Sequence, residues 1–225
     1  MKAQLVYQKL ADKRWAGADL ARRVLKEPRL VPVLIDGMGQ AKAEAKYGCA
    51  KALRVVVDEQ PEMIYRFFET FAGMLGHPNK IFQWEAIYLV SRLAGVDEES
   101  KIDGVLDAYF SDIEGPNMIT AANIISGAGY IAVARRDLAA RMVSEILRAE
   151  RGRYETSECY EVVCGAALKA FAKIYKLVDD PQPMLDFARR HQGSSRVPTK
   201  SAAARLLAKQ ARSNNVRRKE RATAG

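Results

Sequence analysis

Four small residues, Cys49, Ala86, Ala122 and Cys159, recur at separations of 37, 36 and 37 positions. Three places further on stand Ala52, Leu89, Ile125 and Val162, and seven places on stand Val56, Leu93, Gly129 and Ala166. The column four places on, Leu53, Val90, Ser126 and Val163, is apolar except at Ser126. Offsets of 0, 3, 4 and 7 trace one face of an α-helix, so the recurring object is a helix with a buried face. A period of this length indicates stacked supersecondary units in which each unit covers the apolar face of its neighbour. Small residues in the first column let adjacent helices approach closely.

Apolar residues keep helical spacing outside these columns as well. Met63, Ile64, Phe67, Phe68, Phe71, Met74 and Leu75 form one stripe, and Ile102, Val105, Leu106, Tyr109, Phe110 and Ile113 form another. Breakers fall between the stripes at Pro28, Pro61, Gly76-His77-Pro78-Asn79, Gly115-Pro116-Asn117 and Asp179-Asp180-Pro181. The spacing predicts first helices near residues 28–38, 62–75, 100–113, 137–149 and 181–191. Second helices are predicted near residues 41–57, 80–95, 118–134, 157–176 and 198–211. No strand-like alternation occurs beyond Val55-Val56-Val57, which sits inside a helical period.

A two-helix unit of about 37 residues resembles the HEAT/armadillo class of helical repeats, over residues 17–211. The tetratricopeptide pattern, with its 34-residue period and Trp-Leu-Gly-Tyr signature, is not found. The resemblance implies an all-α, right-handed solenoid of about five helical pairs. An N-terminal helix or cap is expected over residues 1–16, the repeat domain over 17–212 and a flexible basic tail over 213–225. The fifth unit departs from the period, as a terminal cap does.

Charge is unevenly distributed along the chain. The net charge is +9, but residues 196–225 hold nine bases and one acid, leaving 27 bases and 26 acids in residues 1–195. The body is therefore neutral in sum and the tail basic. Asp97 to Glu114 carries seven acids and only Lys101. With 48% hydrophobic and 28% charged residues the chain has material for a real core, which excludes a disordered or disulfide-stapled class. Charged or polar residues interrupt every apolar run well before the roughly 18 residues of a membrane span. The start MKAQLVYQKLADKRW has no signal-peptide pattern. Three cysteines without a CxxC pair predict reduced thiols, and a cytoplasmic protein with no membrane contact is expected.

Motifs of catalysis are sparse. Only two histidines occur, His77 and His191, neither near a cysteine at ligand spacing, so neither a metal nor any other cofactor is expected. Cys159 and Cys164 stand about 140° apart around a helix and cannot share a ligand. No GxGxxG, GxxxxGK[ST] or GxSxG is present. One enzymatic alternative follows from fold analogy. HEAT-like DNA glycosylases for alkylated bases use a carboxylate beside tryptophans, and Trp84-Glu85 is a local pair of that kind. A body neutral in sum argues against the basic groove such an enzyme needs.

On the second helices, the face opposite the small-residue columns carries Tyr47, Lys51 and Arg54 in the first unit and Trp84 and Tyr88 in the second. Aromatic and arginine side chains anchor many interfaces, so these five residues are the expected binding patch. The alternative placement packs Tyr47 and Trp84 between the helices of their own units. The reading is a non-enzymatic protein–protein interaction scaffold with an unidentified protein partner. Its principal rival is a nucleic-acid-binding repeat protein. Weak, sequence-independent nucleic-acid contacts are expected through Arg217, Arg218, Lys219 and Arg221 of the tail.

Overall fold

The computed structural model describes the backbone of residues 3–223 and the side chains of residues 3–211. Among the described residues the chain is all helical, with no strand. It divides into two compact units, Met1–Ala108 and Tyr109–Gly225. The proposed tail bases Arg217, Arg218, Lys219 and Arg221 lie outside the residues whose side chains are described.

The first unit opens with α1 (Ala3–Ala11) and α2 (Gly17–Lys26). Helix α2 belongs to none of the sequence-derived pairs. Its start is set by Asp19, whose carboxylate accepts the Ala16 amide N–H at 2.9 Å, and its Leu20, Ala21 and Val24 are buried. A 3-10 turn at Pro28–Leu30 leads into α3 (Val31–Gly37), and α4 (Ala43–Glu59) follows. Helices α1, α2, α3 and α7 all pack on α4. Its inward residues include Ala45, Cys49, Ala50, Ala52, Leu53 and Val56, and small side chains make such crowding feasible. A Cβ at Gly17 would lie 2.9 Å from the Gly48 carbonyl oxygen, so α2 and α4 meet almost backbone to backbone.

The single helix expected over residues 62–75 is divided into α5 (Glu62–Tyr65) and α6 (Phe68–Ala72). Bonds between residues three apart cause the break: Phe67 N–H donates to Ile64 O at 3.0 Å and Thr70 N–H to Phe67 O at 3.0 Å. The apolar stripe survives, since Ile64, Phe68, Phe71 and Leu75 are all buried. Helix α7 (Lys80–Leu93) and the beginning of α8 (Lys101–Phe110) complete the unit. The buried Asp97 carboxylate accepts the N–H groups of Lys101 and Ile102, each at 2.9 Å, and the Tyr65 hydroxyl at 2.6 Å.

In the second unit, α9 (Met118–Ala134), α10 (Ala139–Leu147), α11 (Ser157–Ile174), α12 (Gln182–Arg190) and α13 (Val197–Thr223) follow the end of α8. Helix α11 is central and packs on α9, α10, α12 and α13. Gly165 of α11 makes the α13 contact tight, because a Cβ there would stand 2.7 Å from Thr199 Oγ1. The core is closed by Phe171 and Phe187, whose rings meet edge to face at 5.3 Å.

Helix caps correct the register read from the repeat columns. Asn79, Asn117 and Thr156 accept N–H groups in the first turns of α7, α9 and α11 at 3.0, 2.9 and 3.1 Å, and Lys42 is the corresponding residue of α4. These starts are separated by 37, 38 and 39 residues. Seven positions beyond them stand Cys49, Ala86, Ile124 and Val163, all buried to within 1% exposure. Ala122 and Cys159 are therefore displaced from the core column and are only half-buried. The separation between successive starts thus grows along the chain, and a fixed period slips against it.

Candidate functional site

The five-residue patch expected in the first unit is partly absorbed into the packing of α4 against α7. Tyr47 is 46% exposed and Lys51 is exposed, while Arg54, Trp84 and Tyr88 are half-buried. Arg54 Nε donates to Glu85 Oε2 at 2.7 Å, and its guanidinium lies 4.4 Å from the centre of the Tyr88 ring. The Arg92 guanidinium lies 4.8 Å from the same ring. The Tyr88 hydroxyl donates to Asp58 Oδ2 at 2.6 Å, and Arg92 Nε stands 3.1 Å from Asp58 Oδ1. Burial, reinforced by the bond to Asp58, raises the Tyr88 phenol above its ordinary range. Glu85, the carboxylate of the Trp84-Glu85 pair, is 8% exposed and held by Arg54. Arg54 and Tyr88 thus join two helices, leaving Tyr47 and Lys51 as the outward members of the patch.

A different surface stands out in the second unit. Between α9 and α11 runs an open groove of about 380 Å³, lined by Ala122, Ser126, Val162, Gly165, Ala166 and Ala170 together with the cations Lys169, Lys173 and Arg196. A second groove, of about 450 Å³, lies between α11 and α13, with Ala172, Ala202 and Ala208 beside Lys169, Arg205 and Lys209. Lys169 belongs to both. No acidic or aromatic residue lines either groove among the described residues.

Local sequence explains how this surface arises. Lys169 and Lys173 are four apart on α11, and Arg205 and Lys209 are four apart on α13, so each pair shares a helix face with about 6 Å of rise between its members. Nine positions beyond the helix starts, α4 and α7 carry Lys51 and Tyr88, whereas α9 and α11 carry Ser126 and Gly165. Small residues thus occupy the places that hold large ones in the first unit. The cations have anchors of their own. Arg196 pairs with Glu158 at 2.9 Å, Lys173 Nζ lies 4.1 Å from the centre of the Tyr130 ring, and Lys209 Nζ donates to the Ala172 carbonyl at 2.6 Å.

Counting charge along the chain concealed this groove, because Lys169 and Lys173 fall in the stretch whose sum is nearly zero. The legible signal was the four-residue spacing of bases on two second helices.

A third cluster lies where α10, α11 and α12 meet. Glu150 accepts Arg190 Nε and Nη2 at 2.7 Å each, and His191 Nε2 stands 3.4 Å from Glu150 Oε1. The His191 ring rests on Phe187 with centroids 4.5 Å apart. Burial pulls the His191 pKa below its ordinary 6.5 despite the neighbouring Glu150. Burial also pushes the Cys164 thiol up to about 12, and the same holds for Cys49. Both are therefore protonated and weakly nucleophilic at neutral pH. His77 is half-buried, with Nδ1 accepting the Asn79 N–H at 3.0 Å. Among the described residues no group of three or more His, Cys, Asp or Glu side chains is arranged to hold a metal ion. No helix among them is long and apolar enough to cross a membrane.

Compared with known proteins, the chain matches no family model and no curated sequence.

Proposed function

We propose that this protein is a non-enzymatic interaction scaffold of HEAT/armadillo-like helical pairs, and that its partner is received on the α9–α11–α13 face of the second unit. One observation carries the reading: two adjoining grooves, open to solvent and sharing Lys169, follow the exposed side of α11. Small floors and charged walls make a surface suited to an elongated partner. Helical pairs support it, since the second helices of such arrays commonly line the binding surface. In the first unit, the ties of Arg54 and Tyr88 to Glu85 and Asp58 favour a packing role for the centre of that patch.

The test is to fill the first groove without disturbing the core. Ala166 is half-buried and lines the groove, so Ala166→Trp should abolish capture of macromolecules from native cell extract while leaving the melting temperature nearly unchanged. Capture that persists in Ala166→Trp but is lost in a Tyr47→Ala/Lys51→Ala variant would transfer the site to the first unit and overturn the assignment.

A further inference from the structure

We infer that the paired grooves on the α9–α11–α13 face bind the phosphodiester backbone of a nucleic acid. This rests on the binding face proposed above and names its partner class. Charge is the first argument. Lys169, Lys173, Arg196, Arg205 and Lys209 line the two grooves with no acidic residue among them, and although Arg196 is ion-paired with Glu158, the lining as a whole favours an anionic occupant. Spacing is the second. Each helix offers two cations separated by about 6 Å along its axis, a repeated array suited to successive phosphates rather than to one isolated anion.

The floor decides between classes of polyanion. A protein partner held at such a surface is commonly secured through aromatic hot spots, yet no aromatic residue lines either groove, and beside the half-buried Val162 and the buried Leu168 the uncharged lining is alanine, glycine and serine. A bilayer surface is also a poor fit, because in these concave grooves Leu168 is buried and Val162 half-buried, leaving no fully exposed aromatic or large aliphatic side chain among the lining residues for insertion between lipids. A nucleic-acid strand needs neither anchor nor insertion, only room and phosphate contacts. The groove linings contain no Asn or Gln to read adenine edges, and the spacing of their lysines and arginines suits contacts to phosphates, which position a strand.

The experiment measures fluorescence anisotropy of the full chain with a labelled mixed-sequence 20-base-pair duplex, the corresponding single strand and a polyglutamate peptide, from about 50 to 200 mM salt. The groove variant is Lys169→Glu/Lys173→Glu/Arg205→Glu, and the tail variant is Arg217→Gln/Arg218→Gln/Lys219→Gln/Arg221→Gln. Should charge reversal lower the melting temperature, Gln at the same three groove positions supplies the same readout.

The wild type is expected to bind nucleic acid with a steep salt dependence, and the groove variant to bind at least tenfold more weakly. The slope against log salt should become shallower by about 2 to 3 on duplex, since each lost phosphate contact removes roughly 0.9 there and 0.7 on a single strand. The larger loss, on duplex or on single strand, identifies the form that the grooves take. Unchanged binding in the groove variant, with the tail variant inactive, would assign nucleic-acid contact to the tail and overturn the inference. Groove-dependent binding of polyglutamate without nucleic-acid binding would also overturn it, while sparing the binding face itself. Groove-independent results with all three probes would remove both.

Discussion

Glu150 and Arg190, forty residues apart in the chain, are joined by two bonds of 2.7 Å each, and that pair forms one wall of the site that buries His191. Burial lowers the His191 pKa in the folded state, so the unfolded chain binds the proton more readily than the folded one. Stability is therefore fully present above the ordinary value of 6.5 and falls as pH drops through it toward the lower folded value. Burial acts to raise Glu150, but the bonds and charge of Arg190 outweigh it and lower the carboxyl below 4.5. Its contribution is also lost as pH falls, in a more acidic window. The melting temperature should decline from pH 7.5 to pH 5.5, and His191→Phe should flatten that decline. An identical decline in the variant would remove His191 as its source.

Tyr88 offers a graded test of the α4–α7 contact. Tyr88→Phe removes the bond to Asp58 but keeps a ring beside the guanidiniums of Arg54 and Arg92, and should cost about 0.5–1.5 kcal/mol in denaturant unfolding. Tyr88→Ala also loses the stacking and packing, and should cost roughly 2–3 kcal/mol. Two neutral variants would show that the network contributes nothing to folding.

The corrected register separates two alanines that the repeat columns treat alike. Ala86 has 0% exposure, so Ala86→Leu should destabilise by roughly 1–3 kcal/mol through overpacking. Ala122 is half-buried on a groove floor, and Ala122→Leu should change stability by less than about 0.5 kcal/mol. Equal costs at both positions would restore the fixed spacing.

Gly115 has a backbone φ of +108°, and a Cβ there would lie 2.6 Å from the Arg153 carbonyl oxygen. Gly115→Ala combines backbone strain with that clash and should cost roughly 1–3 kcal/mol. A melting temperature equal to that of the wild type would mean that the turn relaxes freely.

The helices were legible because apolar spacing and breakers act locally: Pro181 lies just before α12, and the apolar face of α4 is continuous in sequence. The register was less legible because it depends on turn length. Asn117 and Thr156 set where α9 and α11 begin, and neither capping bond leaves a trace in a column of core residues. The division between α5 and α6 was hidden for a related reason, since Ile64, Phe68 and Phe71 keep a helical stripe across it. In the first-unit patch, Arg54 and Tyr88 had the composition of interface anchors, but their bonds to Glu85 and Asp58 depend on how two helices meet. Summed charge hid Lys169 and Lys173 because addition discards position.

The carboxylate of Asp97 receives a hydroxyl from the end of α5 and two amides from the start of α8, so one side chain closes three separate bonds. The amide protons of Lys101 and Ile102 can exchange with solvent only when that carboxylate lets go, and its release also frees Tyr65. The end of α5 and the first turn of α8 thus open in a single event, with exchange rates that rise and fall together.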